Sequence, residues 1–246
     1  MRTILLCISY RGTNYKGFQK QKNTKETIQE YLQSAIKKVF CEDITVTASG
    51  RTDAGVHALM QYVSFNTTKQ IKIEKVANAI NTYLPKDILI LDAMEVPNEF
   101  NARFSAKKKT YRYVLCEQSI ISPFNYDLVA PLNYELDEKL IKKCIEKIKG
   151  KHNFKAFSSS NTSVLDFTRT IFDFKFEKVE KSFEFEITGD GFLYNMVRII
   201  IGTIIDIARG KLPIENIDKM FETGDRSLGG KTAKAEGLYL VNVEYL

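Results

Sequence analysis

A chain of 246 residues has room for one or two ordinary domains, and its 44% hydrophobic and 27% charged residues describe a globular protein with a substantial core, not a disordered one. The surplus of 36 Lys+Arg over 30 Asp+Glu gives a net charge of +6, which suits a polyanion partner but is shared by many small enzymes. Arg198 and Asp206 interrupt the most apolar stretch, 192–208, so it does not read as a membrane span. The patch 4–8 is too short for a secretory core, and a cytoplasmic protein is expected.

In chain order, residues 2–10 (RTILLCISY) are apolar and β-branched and predict a strand. Residues 27–39 place Ile28, Leu32, Ile36 and Val39 on one helical face. A strand at 44–49, a turn at 50–55 and a strand at about 57–66 follow. A helix over 73–83 carries Val76, Ile80 and Tyr83 on one face and ends before Pro85. The run ILILDAMEV closes this part as a strand, giving the β-α-β-β-α-β order of a split βαβ, ferredoxin-like unit.

The order then returns with longer elements. A strand at 110–116 precedes a helix at 136–149, striped by Leu140, Cys144 and Ile148. The alternating FDFKFEKV and SFEFEIT predict a hairpin. An apolar helix at 192–209, a short helix after Pro213 and the strand GLYLVNVEYL complete the chain. The expected class is α+β, with an N-terminal half (1–104) and a C-terminal half (105–246) meeting through their sheets at a cleft. Cysteines at 7, 41, 116 and 144 are too scattered for a zinc site, and Cys7 and Cys144 read as small buried hydrophobes in a reducing compartment.

The most unusual segment is SGRTDAGVHA, 49–58, which sets Arg51, Asp53 and His57 in a short loop between two apolar strands. A carboxylate offered from such a turn is held rigidly, as a nucleophile or base must be. Turn chemistry alone also explains Asp and Gly here. In the helix at 192–209, Asn195, Arg198, Gly202, Asp206 and Arg209 share one stripe on otherwise apolar faces, so Arg198 needs a partner. Two other patterns lead nowhere. GDRSLGGKT has five residues between its outer glycines where a phosphate-binding loop has four, and it follows a helix. His57 and His152, the chain's two histidines, have no second carboxylate near Asp53 in sequence to complete a metal site.

GRTDAGVHA resembles the signature loop of the tRNA pseudouridine synthase A family. The likeness continues through YRGTNYKGFQKQ (10–21), FNARFSAKKKTYRY (100–113), GKHNFKAF (150–157), RTI (169–171), GFLYNMVR (191–198) and GLYL (237–240), so it covers nearly the whole chain. The resemblance implies two ferredoxin-like halves forming an extended antiparallel sheet, with helices on one side and a central catalytic cleft. It implies an isomerase that converts uridines 38, 39 and 40 of the tRNA anticodon stem-loop to pseudouridine, as a homodimer, without cofactor, nucleotide or metal. By the same resemblance Asp53 is the nucleophile, attacking ribose C1′ or base C6 of a flipped-out uridine. Tyr111 contacts the target and is a candidate to remove the final proton. Arg198 pairs with the catalytic aspartate, Arg51 fills the vacated stack or holds the flipped phosphate, and Leu238 packs on the target base. Lys107, Lys108, Lys109, Lys151, Lys155 and Arg169 are candidate phosphate contacts. Arg11 and Phe18 stand where the family usually has Asp and Trp, and Asn101 and Lys234 where His and Pro are usual. A non-catalytic RNA-binding or tRNA-folding protein on the same scaffold is the competing reading; it has no need of a carboxylate facing phosphates.

Overall fold

The first apolar run forms strand β1 (Arg2–Tyr10), buried along nearly its whole length, as a run without alternation implies. Helix α1 (Ile28–Phe40), strands β2 (Thr47–Ala48) and β3 (His57–Thr67), helix α2 (Ile73–Asn81) and strand β4 (Ile88–Val96) follow in the computed structural model, which describes residues 1–159 and 165–245. β1 lies between β3 and β4, antiparallel to both, and β2 adds to β3 through Thr47↔Ser64. This is the expected split βαβ order. α1 buries Ile28, Leu32, Ala35, Ile36 and Phe40, and α2 buries Val76 and Ile80. Tyr83 was expected on the same face, but α2 ends two residues earlier, leaving its ring 49% exposed with Lys38 Nζ 5.2 Å from the centroid.

α1 starts at Thr27, whose hydroxyl accepts from Glu30 N at 3.3 Å and satisfies one of the amides that a helix start leaves without a partner. Thr27→Ala should lower the unfolding free energy by about 1 kcal/mol, seen as a lower denaturant midpoint at unchanged slope, while Thr27→Ser should keep most of it. An unchanged midpoint would mean that the amides of Ile28 and Gln29, bonded to the carbonyls of Gly17 and Phe18, hold the helix start unaided.

The second unit runs β5 (Lys108–Glu117), β6 (Ala130–Leu132), α3 (Glu138–Ile148), β7 (Gly150–Asn153), β8 (Thr168–Val179), β9 (Ser182–Gly189), α4 (Met196–Ala208) and α5 (Asn216–Thr223). Its sheet order is β5-β9-β8-β7, antiparallel throughout, with β6 parallel to the end of β5. β8 and β9 form the predicted hairpin, with Val179 opposite Ser182 and Glu180 at φ 53°, the positive φ that a two-residue turn demands. Phe183, Phe185 and Ile187 alternate inward along β9. The apolar stripe of α3 falls on Ile141, Cys144, Ile145 and Ile148, and Leu140 is only half-buried. α3 is capped by Asp137 and tied to α5 by Lys147 and Asp218 at 2.6 Å.

The last strand, β10 (Leu238–Glu244), departs from the expected 105–246 half. From Tyr239 onward it belongs with the first unit, which comprises Met1–Lys107 and Tyr239–Leu246; the second is Lys108–Leu238. The reason is strand pairing: Tyr239 and Leu240 lie parallel to His57 and Ala58 of β3. Leu246, at the end of the expected strand, lies outside the described residues. All four cysteines are free thiols; Cys7, Cys116 and Cys144 are buried, and burial pushes the Cys144 thiol up to about 12. Among the described residues no helix is long and apolar enough to cross a membrane.

Candidate active site

Asp53 opens a tight turn between β2 and β3, closed by Val56 N donating to Asp53 O at 3.2 Å, with Gly55 at φ 78°. Gly50, the other glycine of the motif, does not take a positive φ. The turn is docked on the loop 11–18. Thr52 O accepts from Phe18 N at 3.0 Å, the Thr52 and Tyr10 hydroxyls meet at 2.7 Å, and Gly55 N donates to Tyr15 O at 3.3 Å. Gly17, at φ 95°, lies so close that a Cβ there would sit 2.9 Å from Thr52 O. The residue before Asp53 is thus fixed through both backbone and side chain, which leaves the half-buried carboxylate little freedom to wander.

The rest of the motif frames this turn. Arg51 is exposed on the same loop. His57 is buried, accepts from Gly12 N at Nδ1 (3.0 Å), and stacks on Tyr239 at 4.7 Å between centroids. Gln61 of β3 underpins the loop, donating to Gly50 O at 2.7 Å and meeting the Ser49 hydroxyl at 2.5 Å.

The other expected site residues belong to the second unit. Every residue of α4 except Arg198 and Asp206 is buried. Arg198 donates from Nε to Ala233 O at 2.8 Å and from Nη1 to Asn195 Oδ1 at 3.0 Å, and Ala233 N returns a bond to Arg198 O. Two donors used in this way fix the guanidinium plane. The polar stripe on α4 is therefore the bed of the segment 230–234. Gly230 N donates to the Thr203 hydroxyl at 3.0 Å and Lys231 N to Asp206 Oδ2 at 3.2 Å, while Arg209 Nε lies 3.6 Å from Asp206. The phosphate-loop lookalike at 224–232 thus contributes its end to a structural strap on α4. The helix begins at Met196, later than the expected 192, because Asn195 adopts φ 61°.

Tyr111, 8% exposed, pairs opposite Ile187 on β9 and meets Phe192 edge-on at 5.1 Å. Two residues along the same strand, Tyr113 donates its hydroxyl to Lys234 O at 3.0 Å, and burial raises its pKa. Leu238, 5% exposed, begins β10. His152 lies against Phe221, 4.3 Å between ring centroids, with Nε2 2.9 Å from Lys149 O. Two features were missed from sequence, the loop 11–18 that clamps the aspartate turn and the strap that orients Arg198. Both act through backbone groups, and only the glycines at 12, 17, 229 and 230 hinted at close approach.

Residues 6–105 and 144–246 match the profile of a family described as tRNA pseudouridine synthase. A protein named tRNA pseudouridine synthase A from Caldicellulosiruptor saccharolyticus is 44% identical over 245 residues, covering the full length of both chains. Proteins of the same name from Acetivibrio thermocellus and Thermoanaerobacter sp. are 42% and 40% identical over the same span, again at full coverage of both. A crystal structure of a Cbf5-Nop10-Gar1 complex aligns with 99% of this chain and 58% of its own at 12% identity and a TM-score of 0.43, too distant to add to this. Identity of this extent along both units places the chain in the tRNA pseudouridine synthase A family, isomerases that convert uridine to pseudouridine in tRNA.

Proposed function

We propose that this enzyme isomerises uridines 38, 39 and 40 in the anticodon stem-loop of tRNA, with Asp53 as nucleophile, acting in the cytoplasm as a homodimer. The observation that carries the reading is the SGRTDAGVHA turn, in which Asp53 follows a threonine bonded through both its carbonyl and its hydroxyl. The Asp53 carboxylate adds to C1′ or to C6 of the flipped uridine, and the N1–C1′ bond breaks with its electron pair going to the uracil. The base rotates, C5 bonds to C1′, the aspartate is released, and the C5 proton is lost while N1 gains one. Atoms and electrons balance within the nucleotide, as an isomerisation requires.

In this scheme Arg198 keeps the nucleophile ionised and oriented, a role suited to a forked donor whose plane is already fixed. Tyr111 contacts the target nucleotide and is the candidate acceptor of the C5 proton. Arg51, exposed on the aspartate loop, takes the space or the phosphate left by the extruded base, and Leu238 packs against that base. The test is a map of pseudouridine in tRNA from cells with and without the gene. Loss of the modification at positions 38–40, restored by the gene in trans, is expected. An unchanged map would favour a non-catalytic tRNA-binding protein.

A further inference from the structure

The hairpin 20–25 has no part in the scheme above. Gln21 and Thr24 pair as an isolated antiparallel bridge, leaving Lys22 and Asn23 as a two-residue tip. Its base is fixed by Lys20 N donating to Gln29 Oε1 at 2.9 Å, Gln21 Nε2 to Lys16 O at 2.8 Å, and Glu26 N to the Thr24 hydroxyl at 3.0 Å. With the first turn of α1 it forms an open hollow of about 440 Å³, lined by Lys20, Lys22, Asn23, Thr24, Lys25 and Glu30 among others. Glu30 is matched by Lys20 at 2.7 Å. Lys22 and Lys25 are exposed and have no ion pair among the described residues, and Glu26, the other acid of this segment, does not line the hollow.

The hollow thus offers two uncompensated ammonium groups with an amide and a hydroxyl beside them. It has no aromatic ring on which a base could stack. That donor set suits phosphodiester oxygens, which take a lysine as a point charge without demanding a forked partner. The hairpin is also tied to the nucleophile's turn by short steps of backbone: Lys16 N bonds Glu26 O at 2.7 Å, Gln29 N bonds Phe18 O at 2.9 Å, and Phe18 N bonds Thr52 O at 3.0 Å.

We propose that the hairpin 20–25 is a phosphate-binding subsite, in which Lys22 and Lys25 hold backbone phosphates of the RNA strand flanking the nucleotide that reaches Asp53. The inference rests on the tRNA-modifying reading and adds a site to it. The experiment compares Lys22→Gln/Lys25→Gln with wild type and with Lys142→Gln/Lys143→Gln, which removes the same charge from the exposed face of α3. The log–log dependence of tRNA affinity on salt should become shallower by roughly 1.5 in the hairpin variant, about 0.7–0.9 per lost contact, and stay unchanged in the α3 variant. KM should rise about tenfold with kcat within twofold, and Lys22→Arg/Lys25→Arg should restore both affinity and slope. An unchanged slope, or an equal drop in the α3 variant, would overturn the subsite while leaving the enzymatic reading intact. Inactivity of the wild-type enzyme on tRNA would instead overturn that reading. Inorganic phosphate binding in wild type but not in the hairpin variant, with no effect on tRNA affinity at constant ionic strength, would assign the hollow to a free anion and overturn the RNA contact.

Discussion

Asp53→Asn should abolish pseudouridine formation, by about 10⁴-fold or more, which corresponds to roughly 5.4 kcal/mol of transition-state stabilisation. An amide of the same size occupies the same turn, so the bonds of Thr52 to Phe18 and Tyr10 and the closing bond from Val56 to the residue 53 carbonyl all survive. What is lost is the negative charge and the ability to form and release a glycosyl or C6 adduct. The fold and tRNA affinity should therefore be retained, since the side chain keeps its size and the turn keeps its backbone bonds. Asp53→Ala is the companion variant, free of any return to aspartate by deamidation. Turnover by folded Asp53→Ala above a mock reaction would end the nucleophile assignment, because no displacement through this residue survives the loss of its carboxylate.

Gly202→Ala should be the most destabilising single methyl group in the second unit. A Cβ at this position would lie 1.7 Å from the carbonyl oxygen of Lys231 and 2.9 Å from its carbon. No rotamer change relieves a clash between Cβ and backbone, so the strap 230–234 must lift from α4. Overpacking of a tight interior usually costs about 1–3 kcal/mol, and a backbone contact this short belongs at or above the upper end. A loss of about 3 kcal/mol corresponds to a melting point lower by roughly 6–12 °C for a chain of this size. The lifted strap takes with it the Ala233 carbonyl that accepts from Arg198 Nε, so kcat should fall as well, although residue 202 touches no substrate in the proposed scheme. Thermal melts and steady-state rates on the same preparation check both effects, and a variant as stable as wild type would mean that the strap is not seated as described.

The elements legible in sequence were those with long, consistent periodicity. ILILDAMEV appears as β4 with the bounds expected, and the alternating phenylalanines of β8 and β9 fold as the hairpin. The strand expected at 44–49 shrinks to Thr47–Ala48 because Val46 N turns to Gln33 Oε1 of α1 at 3.2 Å instead of to a neighbouring strand. Strands β6 and β7 were missed, being three and four residues long with no period to read. At the site, Asp53 stood out through the resemblance of GRTDAGVHA to a family's signature loop, since turn chemistry alone also accounts for an Asp and glycines between two strands. The polar stripe on α4 announced that Arg198 and Asp206 needed partners. Among the partners found are main-chain groups more than twenty residues away, at Ala233 and Lys231, and main-chain amides and carbonyls leave no mark in residue type.

The return of β10 has a consequence for biosynthesis. Its residues from Tyr239 on complete a unit begun at the N-terminus: Tyr239 stacks on His57, Tyr245 donates its hydroxyl to Ala102 O at 3.0 Å, and Glu244 O accepts from Lys107 N at 2.8 Å. All of residues 108–238 are made between the two parts. At synthesis rates of about 5–20 residues per second, the nascent first unit waits on the order of 10 s with the end of β3 beside His57 unpaired by β10. During that interval the emerging chain presents an open strand edge, a site for mispairing between neighbouring ribosomes on one message and for chaperone capture. The second unit, Lys108–Leu238, lies within one uninterrupted stretch of chain and can fold as it emerges.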